Sequence, residues 1–218
     1  MNTANEGTFI PITAVTGKEE AVAELLRGAA ALVRKTEPLT LQWMALREGP
    51  ASFTIVDFFH DDKGRQAHFA GPVAAALKNA SGATVVGGWD KGVVANVENG
   101  KILSYHVASA HGPEVKLALR IDVTAKPGQE EALARFLTGG AAIVKATEPG
   151  TPLWYAIQVT PARFAIFDLF PDADAKAAHF SGKVAAALKA SADELVSGGW
   201  DKGVVANVKS YEVLSATY

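Results

Sequence analysis

The eleven residues GGWDKGVVANV occur twice, at 87–97 and at 198–208, and the offset of 111 holds far beyond them. Gly17 to Val97 aligns without a gap to Gly128 to Val208, with more than half of the positions identical. A period this long exceeds any solenoid unit and has the length of a domain. The 218 residues therefore divide into two similar domains, 1–111 and 112–218. The join falls in Ala110-His111-Gly112-Pro113-Glu114, a turn-rich stretch between two extended segments.

Within each repeat the hydrophobic period changes in a fixed order. Phe9 to Val15 and Val115 to Val123 read as strands. In the helix that follows, Val22, Leu25, Leu26, Ala29, Leu32 and Val33 recur at spacings of three and four, as do Leu133, Phe136, Leu137, Ile143 and Val144. Thr16 and Glu19 have the spacing of a capping box, and Pro127 suits a first helical turn. Glu37-Pro38 and Glu148-Pro149 stop these helices. Strands follow at 40–48 and 52–59, and again at 152–160 and 163–170. Second helices are expected over 63–80 and 174–191, and closing strands over Lys101 to Ala108 and Tyr211 to Thr217. Pro72 should break the second helix in the first repeat, whereas Lys183 imposes no such break. The order strand-helix-strand-strand-helix-strand defines an α+β fold of ferredoxin-like split βαβ units.

The central strands add one constraint. In FTIVDFF, Phe53, Ile55 and Phe59 point one way, and Val56 and Phe58 the other; AIFDLF behaves alike. A sheet with one wet face alternates cleanly, and these strands do not. Both faces therefore need cover. Two repeats packed sheet to sheet as a fused dimeric α/β barrel supply it, an internal pseudo-dimer that leaves further self-association open.

Composition narrows the function by exclusion. With 21 Lys and Arg against 23 Asp and Glu, and no basic cluster, the footprint of a nucleic-acid binder is missing. The chain has no cysteine, which excludes disulfides and a thiol nucleophile. Its start has neither the basic region nor the apolar stretch of a signal, and no segment reads as a membrane span, so the cytoplasm is the expected location. The five histidines form no short-spaced ligand set, and neither a phosphate loop nor a G-x-S-x-G elbow occurs. No metal or cofactor is expected.

The D-x-F strand followed by A-H-F-x-G-x-V-A-A-A-L, present in both repeats, resembles the antibiotic biosynthesis monooxygenase family. The resemblance implies a dimeric α+β barrel. It also implies a cofactor-independent monooxygenase of a small electron-rich aromatic, a quinol or polyphenol; the alternative is a non-catalytic ligand-binding or structural module of the same fold. Oxygenase members often carry Trp with Asn one turn earlier on the helix where this chain has His68 with Gly64, and His179 with Ala175. Haem-binding relatives have their ligand His where this chain has Lys78 and Lys189.

Within that resemblance, His68 and His179 are candidate general bases for a phenolic proton. The small residues Gly71, Ala75, Gly182 and Ala186 leave room beside them; the plainer reading is an imidazole bonded to a backbone carbonyl. Asp57 and Asp168 lie among large apolar residues, so each must be paired, protonated or at an edge. A raised-pKa base and a structural hydrogen bond are both open there. Trp43, Trp154, Trp89 and Trp200 are candidate pocket walls or core, and Asn96 and Asn207 candidate pocket donors. GGWDKGVVANV reads as a clasp between the halves or as a pocket lid.

Overall fold

The computed structural model describes residues 3–108 and 114–218, so the join expected at 110–114 lies almost wholly outside the described residues. The first repeat runs β1 (Glu6–Thr13), α1 (Glu19–Thr36), β2 (Thr40–Arg47), β3 (Ser52–Phe59), α2 (Asp62–Phe69), α3 (Pro72–Thr84), the short α4 (Gly88–Gly92), a 3₁₀ turn at Val94–Asn96, and β4 (Glu98–Val107). The second repeats this series as β5 (Leu117–Thr124), α5 (Glu130–Thr147), β6 (Leu153–Gln158), β7 (Arg163–Phe170), α6 (Ala173–Phe180), α7 (Lys183–Leu195), α8 (Gly199–Gly203), a 3₁₀ turn at Val205–Asn207, and β8 (Val208–Thr217). No described helix is long and apolar enough to cross a membrane.

The eight strands form a closed barrel in the order β1-β3-β2-β8-β5-β7-β6-β4. One compact unit is Met1–Asn99 with Tyr211–Tyr218, and the other is Gly100–Ser210. Sequence repeat and compact unit thus differ by a strand. β2 pairs antiparallel with β8 from Trp43↔Thr217 to Arg47↔Glu212, and β6 pairs with β4 from Leu153↔Val107 to Gln158↔Lys101. Each repeat places its closing strand against the second strand of the other.

The doubly apolar strands have the cover they require. On the helix side of the first unit, Ile10, Ile12, Trp43, Phe53 and Ile55 pack with Val22, Leu26 and Val33 of α1 and with Leu77 of α3. On the opposite side of the same strands Phe9, Met44, Leu46, Val56 and Phe58 are also buried, because that side is the inside of the barrel. Each such side chain is worth about 1.5–3 kcal/mol when fully buried. The inner face therefore stabilises the unit on the same scale as the helix-covered one.

Two helix starts differ from expectation. The capping residue of α1 is Lys18 with no side-chain bond, so Thr16 and Glu19 form no capping box; α5 begins at Glu130, which leaves Pro127 in the preceding turn. Gly17 and Gly128 explain both. Their φ values of +79° and +84° turn the chain into the helix through the left-handed region, which shifts the first helical residue past the expected cap.

The second helix breaks in both repeats, not in the first alone. α2 ends at Phe69 and α3 begins at Pro72; α6 ends at Phe180 and α7 begins at Lys183. Gly71 and Gly182 are extended at the break, with ψ of 175° and 178°. Proline cannot be the common cause, since the second repeat has Lys183. What the two breaks share is a buried glutamate.

Candidate functional site

Glu37 and Glu148 end α1 and α5, where the following prolines stop the helix. Each carboxylate reaches across to the broken second helix and does two things there. Oε1 of Glu37 accepts from Val73 N–H at 3.1 Å, and Oε1 of Glu148 from Val184 N–H at 3.1 Å. They therefore cap α3 and α7, whose own capping residue is a glycine without a side chain. Oε2 meets the imidazole of the preceding helix: Glu37 bonds Nδ1 of His68, and Glu148 bonds Nδ1 of His179 at 2.6 Å. A Cβ built on Gly71 would lie 2.6 Å from Glu37 Oε1, and one on Gly182 would lie 2.5 Å from Glu148 Oε1. Glycine is required here by close approach. The room expected beside the imidazole at Gly71 and Gly182 is occupied by a carboxylate.

The far side of each imidazole faces the central strand. His68 Nε2 is 3.7 Å from Asp57 Oδ2, and His179 Nε2 is 3.7 Å from Asp168 Oδ2. Thr40 Oγ1 and Thr151 Oγ1 approach Nδ1 at 3.4 and 3.3 Å. Phe59 and Phe69 flank His68, as Phe170 and Phe180 flank His179. Both aspartates are 0% exposed, and neither carboxylate has a hydrogen-bond partner. The structural hydrogen bond considered for them is absent, and the histidines are held by carboxylates instead of backbone carbonyls.

Electrostatics follow from this geometry. Burial raises Asp57 from 3.8 to about 6 and Asp168 from 3.8 to about 7, against the pull of the neighbouring imidazole and with the push of the nearby glutamate. For His68 and His179, burial favours the neutral ring, but the aspartate and glutamate outweigh it and the net shift is upward. Burial also raises Glu148, and the bonds from His179 and from the Val184 N–H reverse that to leave it lowered. Each group thus contains an imidazole favoured in its protonated form and an aspartate that titrates near neutrality. The protons belong to the group as a whole.

The remaining candidates divide. Trp43 and Trp89 line a space of about 20 Å³ with His68. Trp154 and Trp200 line a cavity of about 130 Å³ with His179. Asn96 and Asn207 do not reach these spaces: both are exposed, and their side-chain amides donate to Gly92 O and Gly203 O at 2.9 and 3.0 Å, holding the ends of α4 and α8. Each GGWDKG turn enters its helix through two left-handed glycines and sets its Trp against the core of its own unit. Lys78 and Lys189 extend over the Trp89 and Trp200 rings at 6.0 and 5.9 Å from the centroid. Among the described residues no group of three or more His, Asp or Glu is arranged to hold a metal ion. Glu37 and Glu148 were missed as site residues. Their signal was the Glu-Pro pair repeated at the offset of 111, which reads equally well as a helix stop.

A closed barrel of two ferredoxin-like units, each with a buried Glu–His–Asp group beneath its helices, defines the class of this protein. Crystal structures with the same fold include a Fusobacterium nucleatum protein provisionally described as a monooxygenase, at 16% identity with a TM-score of 0.78, covering 100% of this chain and 95% of that one. A similarly described protein from Lactobacillus acidophilus shares 13% identity with a TM-score of 0.77, over 99% and 96% of the two chains. A Nitrosomonas europaea protein of unknown function is 40% identical over 49% of this chain and 97% of its own, with a TM-score of 0.45. No family model matches the sequence, and no curated protein does.

Proposed function

We propose that this chain is a cofactor-independent monooxygenase of a small electron-rich aromatic, and that the second repeat holds the working site. The observation that carries this reading is the cavity beside His179. At about 130 Å³ it is close to the roughly 150 Å³ that admits a benzene ring, and its walls are apolar except for the imidazole. A single-ring quinol fits that space. Trp154 and Trp200 offer it faces to stack on, and a phenolic proton enters the His179–Asp168 pair as the ring oxidises: the protonated imidazole passes its Nε2 proton to Asp168, which titrates near neutrality, and takes the phenolic proton in its place. Dioxygen is the oxidant. A ring carbon in its CH₂ tautomer becomes a carbonyl, one oxygen atom enters the product and the other leaves as water, and all four electrons come from the substrate. Provisional descriptions of proteins with this fold agree with such chemistry.

A non-catalytic role suits the first repeat better. The space beside His68 is about 20 Å³, enough for a water and too small for a ring. There the Glu–His–Asp group holds α1, α2, α3 and β3 together. Oxygen uptake with methylhydroquinone tests both statements. His179→Ala should lower the rate by roughly 10²- to 10⁴-fold, and His68→Ala should leave it near the parent value. A parent protein that binds the quinol without taking up oxygen would instead be a ligand-binding module.

A further inference from the structure

Ten lining residues recur in both histidine cavities, and the second extends further, over Val205 and Val208. Every residue around the first has the same residue type at the matching position of the second, from Ile10 and Ile121 to Val93 and Val204. Yet one measures about 20 Å³ and the other about 130 Å³. One difference lies behind the shared lining, at Gly140 of α5. A Cβ built there would lie 2.5 Å from Trp154 Cη2 and 2.8 Å from Cζ2. The indole has moved into the place a side chain would occupy. The matching residue of α1 is Ala29, whose Cβ denies Trp43 that position. Trp43 accordingly borders the small space beside His68 on one side. On the other it borders a cavity of about 310 Å³ between α1 and α3, in which Ala29 is itself a wall.

We propose that residue 29 in the first repeat and residue 140 in the second decide on which side of the strand tryptophan the cavity opens, and so which repeat admits a ring beside its histidine. Glycine draws the indole onto the first helix and opens the histidine side. Alanine holds it away and closes that side. That the opened cavity receives a substrate rests on the function proposed above; the switch itself does not.

Xenon-pressurised crystals test the switch without any turnover. The parent protein should bind xenon beside His179 and not beside His68. Gly140→Ala should abolish the first site, and Ala29→Gly should create the second. Unchanged xenon sites in both variants would overturn the proposal. Should Gly140→Ala fail to fold, Ala29→Gly alone decides, because it only removes a methyl group. Methylhydroquinone oxidation then separates the two readings. A loss of at least 10-fold in kcat/KM for Gly140→Ala joins them, while displaced xenon with no oxidation by any form retains the switch and removes the enzyme.

Discussion

Asp57 and Asp168 are the most consequential single residues, because each is a carboxyl with no hydrogen bond at complete burial. Leaving such a group charged is costly, so the folded protein keeps its proton to higher pH than the unfolded chain does. The folded state therefore binds more protons than the unfolded one between the ordinary value of 3.8 and about 6 for Asp57, and about 7 for Asp168. Over that window these two groups make stability fall as pH rises. The histidines act with the same sign, since their raised pKa gives stability that is lost as pH climbs through the folded value. Urea unfolding of the parent and of the Asp57→Asn/Asp168→Asn double variant between pH 4 and 8 measures this, and the difference cancels carboxylates common to both. The parent should lose stability relative to the variant as pH rises. A pH-independent difference would mean that neither aspartate titrates where its burial implies.

At the scale of elements, the broken second helix is the instructive case. Pro72 occupies the first position of α3, where its missing N–H is tolerated, and so marks a break that the buried glutamate and the extended glycine already enforce. Lys183 holds the matching position of α7 after an extended Gly182. Lys183→Pro should cost about 1 kcal/mol, since the position and the residue before it suit proline and what is lost is the Lys183 N–H that assists Glu148. Gly182→Ala, chemically milder, should cost about 1–3 kcal/mol, because its Cβ would press on the Glu148 carboxylate. Thermal or urea unfolding of the two variants decides the ranking. The reverse order would return the break to proline.

For the whole molecule, the exchange of closing strands is what a tandem chain gains over a single repeat. In a fragment of residues 1–111, β2 loses β8 along Trp43–Arg47 and presents an open edge. Phe9, Met44, Val56 and Phe58 lose the enclosure of the barrel. Such a fragment should therefore self-associate, and sedimentation should show a dimer or larger species. A stable monomer would mean that the inner face does not need the barrel.

The duplication, the strand-helix order and the two-sided burial of the central strands were all legible in the sequence. They rest on periodicity and identity, which local side-chain chemistry carries along the chain. His68 with Asp57, and His179 with Asp168, were legible as polar residues in apolar settings. Their glutamate partners were not, because Glu37 and His68 are 31 residues apart and meet only when α1 ends beside the gap between α2 and α3. The shared break in the second helix was hidden for the same reason: its cause is a carboxylate from another element. Cavity size lay furthest from the sequence. Ten shared lining residues border spaces of about 20 and about 130 Å³, the larger reaching on to Val205 and Val208. The difference is set by whether one indole clears a single methyl group on a neighbouring helix, a distance of ångströms that only packing determines.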